Sequence, residues 1–375
     1  MTDHTQMTQP RNPRNTVHHG PEVVRLDTVS PSTVKWLWNQ RVALGKLTLI
    51  AGDPGLGKSY LTLDLASRVS TGRAMPGDTW ENGRPMDRFP GTSILLSAED
   101  DAADTIRPRL DAAGADLRRV SMVTGVRTGG AVTGFNLRDH LKFLRQMCEA
   151  DPEARLIVID PISAYLGDDE GHSNTKVRNL LAPLAKLAQD YNVAVLAVTH
   201  LNKAGGGGAQ SAIYRAMGSL AFTAAARTVH LVSRDPDDPE RRLLVPIKNN
   251  LGQDRSGYGF TIGLTPQGES TVCWEDGPTH ESADALLARL SRTAARDAAP
   301  SPKTDEAAAW VRDRLGEGPV PSRELEQSAQ QAGISQRTLM RARASIGVRV
   351  TKRADGWVCE LPTSQQQAMA FEPMQ

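Results

Sequence analysis

Apolar residues first gather at Val34, Trp36, Leu37 and Trp38, ahead of the run Leu47-Thr48-Leu49-Ile50-Ala51, which predicts a short buried strand. From Tyr60 to Ser70 the spacing changes to Leu61, Leu65, Ala66 and Val69, one face of a helix. An irregular stretch rich in Gly and Pro follows, from Thr71 to Gly91. A second strand-like run, Thr92 to Ala98, ends in Glu99-Asp100-Asp101 and opens into a predicted helix over 102–113. Phe135 to Ala150 carries Leu137, Leu141, Leu144 and Met147 on one helical face. It leads into Arg155-Leu156-Ile157-Val158-Ile159-Asp160, whose unbroken apolar run suits a strand buried on both faces. A helix over Asn179 to Asp190, a strand over Val193 to Thr199, a helix over 216–227 and a strand over Thr228 to Val232 continue the alternation. An acidic turn, Asp235 to Glu240, then joins that strand to Leu243–Lys248, and shorter runs follow at 259–263 and 271–274. Strand–helix alternation followed by consecutive strands predicts an α/β fold, with a mostly parallel sheet and antiparallel edge strands. Trp36 and Trp38 are expected to pack on this domain or on a neighbouring subunit, with stacking on a purine base as the competing reading.

The pattern changes again near residue 281. Residues 281–303 turn to Ala, Ser, Arg and Pro and read as a linker with a helical beginning. Asp305 to Leu315 predicts a helix packed through Ala308, Val311 and Leu315. Ser322 is the expected cap of a second helix, Arg323 to Ala332, and Ser335 of a third, Gln336 to Ile346. Strands at 348–351 and 357–361 complete a helix-turn-helix with a β wing. The predicted organisation is a disordered arm at 1–25, an α/β domain at 26–280, a linker at 281–303, the small module at 304–361 and a disordered tail at 362–375.

Composition narrows the partners. A net charge of +1 over 375 residues leaves nucleic-acid contact to local patches. One such patch runs from Arg337 to Arg353, with six basic residues and no acidic one; Arg337 and Arg341 share a helix face, and Arg343 follows. Duplex DNA is the favoured partner there, with a protein partner as the alternative. Cys148, Cys273 and Cys359 show no Cys-x-x-Cys spacing, which predicts reduced thiols and a cytoplasmic setting. No apolar run approaches the roughly 20 residues that span a bilayer, and no signal pattern opens the chain, so no membrane partner is expected.

The sharpest chemistry lies at Gly52-Asp53-Pro54-Gly55-Leu56-Gly57-Lys58-Ser59, with Tyr60 next in the helix. Between a strand and a helix start, this spacing makes a phosphate-binding loop for a nucleoside triphosphate. Glycines let successive N–H groups turn inward around phosphates, and the helix start adds partial positive charge. Lys58 reaches the β- and γ-phosphates, while Ser59 and Asp160 are the expected Mg²⁺ ligands. Among the three acids, Glu99 is the candidate to activate the attacking water, and helix capping is the competing role. His200, ending its strand, is either a γ-phosphate contact or a histidine satisfied by a loop. Lys203 and Arg215 flank four consecutive glycines, Gly205 to Gly208, which predicts a mobile loop suited to phosphate backbones.

The segments "WLWNQRVALGKLTLIAGDPGLGKS", "SILLSAEDD", "LIVIDPISAYLG", "VLAVTHLNK", "RAMGSLAFTAAARTVHLV" and "IKNNLG" occur in that order. Over roughly residues 34 to 265 the chain resembles the RecA-like AAA-domain proteins related to the RepA hexameric replicative helicases of plasmids and phages. The resemblance implies a RecA-like P-loop NTPase core that takes ATP and Mg²⁺, with a small C-terminal winged helix-turn-helix domain behind it. It gives Glu99 the role of water activator and His200 that of γ-phosphate sensor. It makes 203–215 a central-channel loop gripping single-stranded DNA. It makes Arg227 an arginine finger reaching a neighbour's nucleotide in a hexameric homo-oligomer, with Arg215 as the alternative finger. Lys248 falls where related rings carry Lys-x-Arg, but the third position here is Asn250. The expected function is an ATP-driven DNA motor, a replicative helicase of a plasmid, phage or integrated mobile element. The alternative is a DNA-binding ATPase that switches assembly without translocating, and a small-molecule kinase is a weaker third.

Overall fold

The structure, a computed structural model, describes residues 23–79, 82–167, 174–201, 220–253, 256–298, 302–353 and 356–362. Lys203, Arg215, the glycine loop, most of the 1–25 arm and nearly all of the 362–375 tail therefore lie outside the described residues.

Two short strands, β1 (Trp36–Trp38) and β2 (Val42–Ala43), pair antiparallel ahead of the main sheet. Trp38 is 2 % exposed. Its Nε1 donates to Pro76 O at 2.9 Å, and its ring centroid stands 5.4 Å from Trp274 and 5.5 Å from Tyr258. Trp38 thus belongs to the domain's own core, and the base-stacking alternative is excluded for it.

The main sheet is built from β3 (Leu47–Ala51), β4 (Thr92–Ser97), β5 (Val120–Met122), β8 (Ala154–Asp160), β9 (Ala194–Thr199), β10 (Thr228–Arg234), β11 (Arg242–Asn249), β12 (Tyr258–Leu264) and β13 (Ser270–Trp274). A separate hairpin of β6 (Val126–Thr128) and β7 (Ala131–Thr133) lies beside it in sequence. The order across the sheet is β13-β12-β11-β10-β3-β9-β8-β4-β5. From β10 to β5 every pair is parallel, and from β10 to β13 every pair is antiparallel. This is the predicted α/β arrangement of a parallel sheet with an antiparallel edge.

Side chains alternate between two layers, as the two-residue repeat of a strand requires. Leu47 and Leu49 of β3, Ile157 and Ile159 of β8 enter one core with helices α3 (Leu137–Ala150), α4 (Asn174–Tyr191) and α5 (Leu220–Ala225). Ile50, Leu156 and Val158 enter the other, against α1 (Lys58–Thr71) and α2 (Arg107–Ala112). The helix expected from Asn179 begins at Asn174 instead, because fully buried Val177 extends the apolar stripe by one turn. The helix expected over 102–113 is divided into a π-helical turn, Ala102–Ile106, and α2.

The expected linker is mostly α6 (Ala283–Ala298), which buries Ala283, Leu286 and Leu287 against Leu231, Leu243 and Val245 of the sheet. An ion network holds it there. Arg289 meets Asp235 at 2.9 Å and Glu281 at 2.6 Å, and Arg241 joins Asp235 to Glu275 at 2.6 Å each. Composition pointed to a linker because the segment turns to Ala, Ser, Arg and Pro and ends in Ala299-Pro300-Ser301-Pro302.

The C-terminal elements run α7 (Pro302–Gly316), β14 (Val320–Pro321), α8 (Ser322–Gln331), α9 (Gln336–Ser345), β15 (Arg349–Arg353) and β16 (Gly356–Glu360). Three strands pair in the order β14-β16-β15, one more than the sequence suggested. They close over a core that includes Val311, Leu315, Leu325, Leu339 and Cys359. Ser335 caps α9 as expected, its oxygen accepting from Thr338 N at 3.2 Å. Ser322 does not cap α8: Pro321 is the cap, and the Ser322 hydroxyl stands 3.2 Å from Cys359 Sγ.

Candidate nucleotide site

The C-terminal ends of β3, β9, β8 and β4 share one edge of the sheet, with Ala51 opposite Thr199 and Ser97 opposite Asp160. Loop 52–57 leaves β3 there and enters α1. Gly52 has no room for a side chain, since an added Cβ would lie 2.5 Å from Val232 O. Gly55 and Gly57 take φ of 75° and 82°, the left-handed region that L side chains avoid. Gly57 is the N-cap of α1, so the loop's backbone ends where the helix offers its free N–H groups.

Lys58 lies across this loop, donating to Gly52 O at 3.0 Å and Asp53 O at 2.8 Å. Burial pulls its pKa down, and the carboxylates of Asp160, Asp53 and Glu99 oppose that shift. Its Nζ also stands 3.5 Å from His200 Nδ1. The other ring nitrogen, His200 Nε2, is 3.9 Å from Glu99 Oε1.

The three acids after β4 have separate environments. Asp101 caps the π-helical turn, accepting from Ala103 N at 2.7 Å and Asp104 N at 3.3 Å. Asp100 pairs with Arg109 at 2.8 Å. The Glu99 side chain is 65 % exposed at the cleft and faces His200. The capping alternative therefore falls to Asp101, and Glu99 is left without a structural partner other than His200 among the described residues.

Ser59 and Asp160 come together across α1 and β8, with the hydroxyl hydrogen-bonded to the carboxylate. Burial raises the Asp160 pKa, against the pull of Ser59 and Lys58. A hydroxyl and a carboxylate facing a phosphate loop fit Mg²⁺, which takes few protein oxygens and completes its shell with phosphate and water. The raised pKa has a measurable consequence. A carboxylate whose pKa is raised by folding destabilises the folded chain once ionised. We expect metal-free Asp160→Asn to melt above the parent at neutral pH, the gap shrinking as pH falls toward the ordinary aspartate value of 3.8. Added Mg²⁺ and ATP should reverse the order, which differential scanning calorimetry would show.

Arg227 is elsewhere. It precedes β10 at the opposite edge of the sheet, where its N–H donates to Leu47 O at 2.9 Å and its carbonyl accepts from Asn250 N at 3.1 Å. Leu47 begins β3 and the phosphate loop follows its end, so about five residues of strand, roughly 16 Å, separate Arg227 from its own loop. Lys248 is committed to its own chain, donating to Thr223 O and Ala226 O at 2.8 Å each. It thereby satisfies the last carbonyls of α5, immediately before exposed Arg227.

Other residues at the site carried no signal in the sequence. The Arg109 guanidinium lies 4.3 Å over the Tyr60 ring while paired to Asp100. Arg242 and Ile262, from the antiparallel edge, flank the loop: a Cβ on Gly57 would meet Ile262 at 3.3 Å and Arg242 Cδ at 3.9 Å. In the C-terminal elements Arg341 is half-buried, and Arg343 is largely covered, 3.8 Å from Glu326. Arg337 lies in α9, but its side chain falls outside the described residues.

A phosphate loop at the carboxyl edge of a parallel sheet, with a hydroxyl–carboxylate pair beside it, defines the class: an α/β ATPase. Residues 13–206, just over half of the chain, match the family described as AAA domain, and the chain belongs to that family. It is also similar to ABC transporter G family member 31 of Arabidopsis thaliana, at 29% identity over 143 residues. That match takes in 33% of this chain and 10% of the relative, so the chain spans about a tenth of that protein's length. Among the described residues no helix is long and apolar enough to cross a membrane. Among solved structures, an ATPase domain is similar at a TM-score of 0.43 and 14% identity, over 62% of this chain and 85% of that one.

Proposed function

We propose that the chain is an ATP-driven DNA motor that assembles into a ring, with each hydrolytic site completed by a neighbouring subunit. The observation that carries this reading is the division of charged groups between the two sheet edges. Lys58, Ser59, Asp160, Glu99 and His200 converge at one edge, while Arg227 is held at the other. An arginine so placed cannot serve its own loop, but it can serve one docked against that opposite edge.

In this reading the N–H groups of 52–60, Pro54 excepted, hold the phosphate chain, and Lys58 leaves the Gly52 and Asp53 carbonyls to neutralise the β- and γ-oxygens. Ser59 and Asp160 would hold Mg²⁺, which would supply further positive charge at the site. Glu99 accepts the proton of the attacking water. His200, linked to both Lys58 and Glu99, senses the γ-phosphate and passes its loss to the segment that follows. The partner's Arg227 stabilises charge on the transferred phosphoryl group. Lys203 and Arg215 belong to the segment that contacts single-stranded DNA. The C-terminal elements follow the order of a winged helix, and we read them as a duplex-binding module using Arg337 and Arg341. Arg343, paired within the module, fits a positioning role better than a DNA contact.

Hydrolysis measured with and without single-stranded DNA tests the coupling. The motor reading expects stimulation by DNA, and turnover indifferent to DNA at every concentration would contradict it. Replacing Lys58 by Ala should lower turnover by about 10²–10³-fold, as loss of a preorganised charge donor does. Stimulation without strand separation would favour the switch reading, in which ATP controls assembly alone.

A further inference from the structure

The wing carries an exposed aromatic side chain that the core does not use. In the pairing of β15 with β16, Val350 lies opposite Cys359 and Lys352 opposite Trp357. Directly opposed residues share a face, so Val350, Lys352, Trp357 and Cys359 point the same way. Cys359 is fully buried in the module's core, whereas Trp357, two residues nearer the wing tip, is 57 % exposed. Val350 beside it is 44 % exposed. The opposite face is tied up: Thr351 and Arg353 both donate to Glu360, at 3.1 Å and 2.9 Å. Arg349 and Lys352 make no ion pair among the described residues.

We propose that Trp357 is a stacking platform for an unpaired nucleobase, so that the module grips DNA where duplex gives way to single strand. The inference rests on the reading of this module as a DNA contact. The cations of the wing select a nucleic acid over an apolar protein surface: Lys352 stands directly across from the indole, and Arg349 lies on the same strand. Bases inside a duplex have both faces covered by neighbours. An unpaired base, free to leave the stack, is the one that offers its π-face to an indole on the wing, with its phosphate left to Lys352.

The test uses the full chain without nucleotide and three labelled DNAs, a blunt duplex, a forked duplex and a single strand, followed by fluorescence anisotropy over a salt series. Trp357→Ala should weaken fork binding by about 5- to 150-fold. It should leave blunt-duplex affinity and the salt slope near the parent's, because no phosphate contact is lost. Trp357→Phe should recover most of the loss. A 5-bromodeoxyuridine placed at the first unpaired position should photocrosslink to the Trp357 peptide. Fork affinity unchanged in Trp357→Ala, or reduced equally on blunt duplex, overturns the inference. A double variant, Arg337→Gln with Arg341→Gln, separates the two levels. If it leaves duplex affinity and salt slope intact, the DNA reading of the module fails and the inference with it. If it weakens duplex binding while Trp357→Ala changes nothing, stacking alone is wrong, and the indole serves a protein partner.

Discussion

Glu99→Gln is expected to slow ATP hydrolysis by about 10²–10⁴-fold, the range that a positioned general base contributes. Nucleotide affinity should stay near the parent's, because Gln preserves shape and removes only the proton acceptor. The geometry makes the expectation specific. Asp101 is consumed by capping and Asp100 by Arg109, so neither is free to replace Glu99 at the cleft. A filter-binding Kd together with single-turnover hydrolysis checks both halves. Turnover within a few fold of the parent would move the base elsewhere, and lost binding would make Glu99 a structural group.

Arg227→Ala is the second large effect, a loss of roughly 10³-fold in hydrolysis if the side chain acts as an arginine finger. Its distinguishing mark is complementation. In rings mixed from Arg227→Ala and Glu99→Gln subunits, some interfaces join an intact Glu99 to an intact Arg227, and these should hydrolyse ATP although each variant alone is inactive. A group acting within its own subunit cannot be rescued this way. Absence of recovery at every mixing ratio would return Arg227 to a structural role at the start of β10.

Features set by local chemistry were legible in the sequence. The phosphate loop must place its glycines, lysine and serine at fixed spacing, and strands buried on both faces announce themselves as unbroken apolar runs. Hence 52–59, β3, β8 and the acid ending β8 all fall where the pattern puts them. Features set by packing partners were not. Nothing local to Arg109 says that it bridges Asp100 to the face of Tyr60, and nothing in Arg242 announces that it borders Gly57. Helix α6 looks like a linker until its few apolar residues meet β10 and β11 and Arg289 finds Asp235. Ser322 resembles a cap, yet β14 draws the preceding residues into pairing with β16, so Pro321 takes the boundary position. Lys248 shows the same limit. Its place matched the lysine of the Lys-x-Arg pair in related rings, and only the fold reveals that it closes α5 beside Arg227. That makes Lys248 a support for the proposed finger.

The central claim is that hydrolysis at this edge of the sheet drives movement along DNA. Strand separation of a forked duplex, followed by fluorescence as ATP is added, tests it most directly. The account predicts unwinding that requires ATP and Mg²⁺ and disappears in Lys58→Ala. A parent protein that hydrolyses ATP in the presence of the fork yet never separates its strands would contradict it.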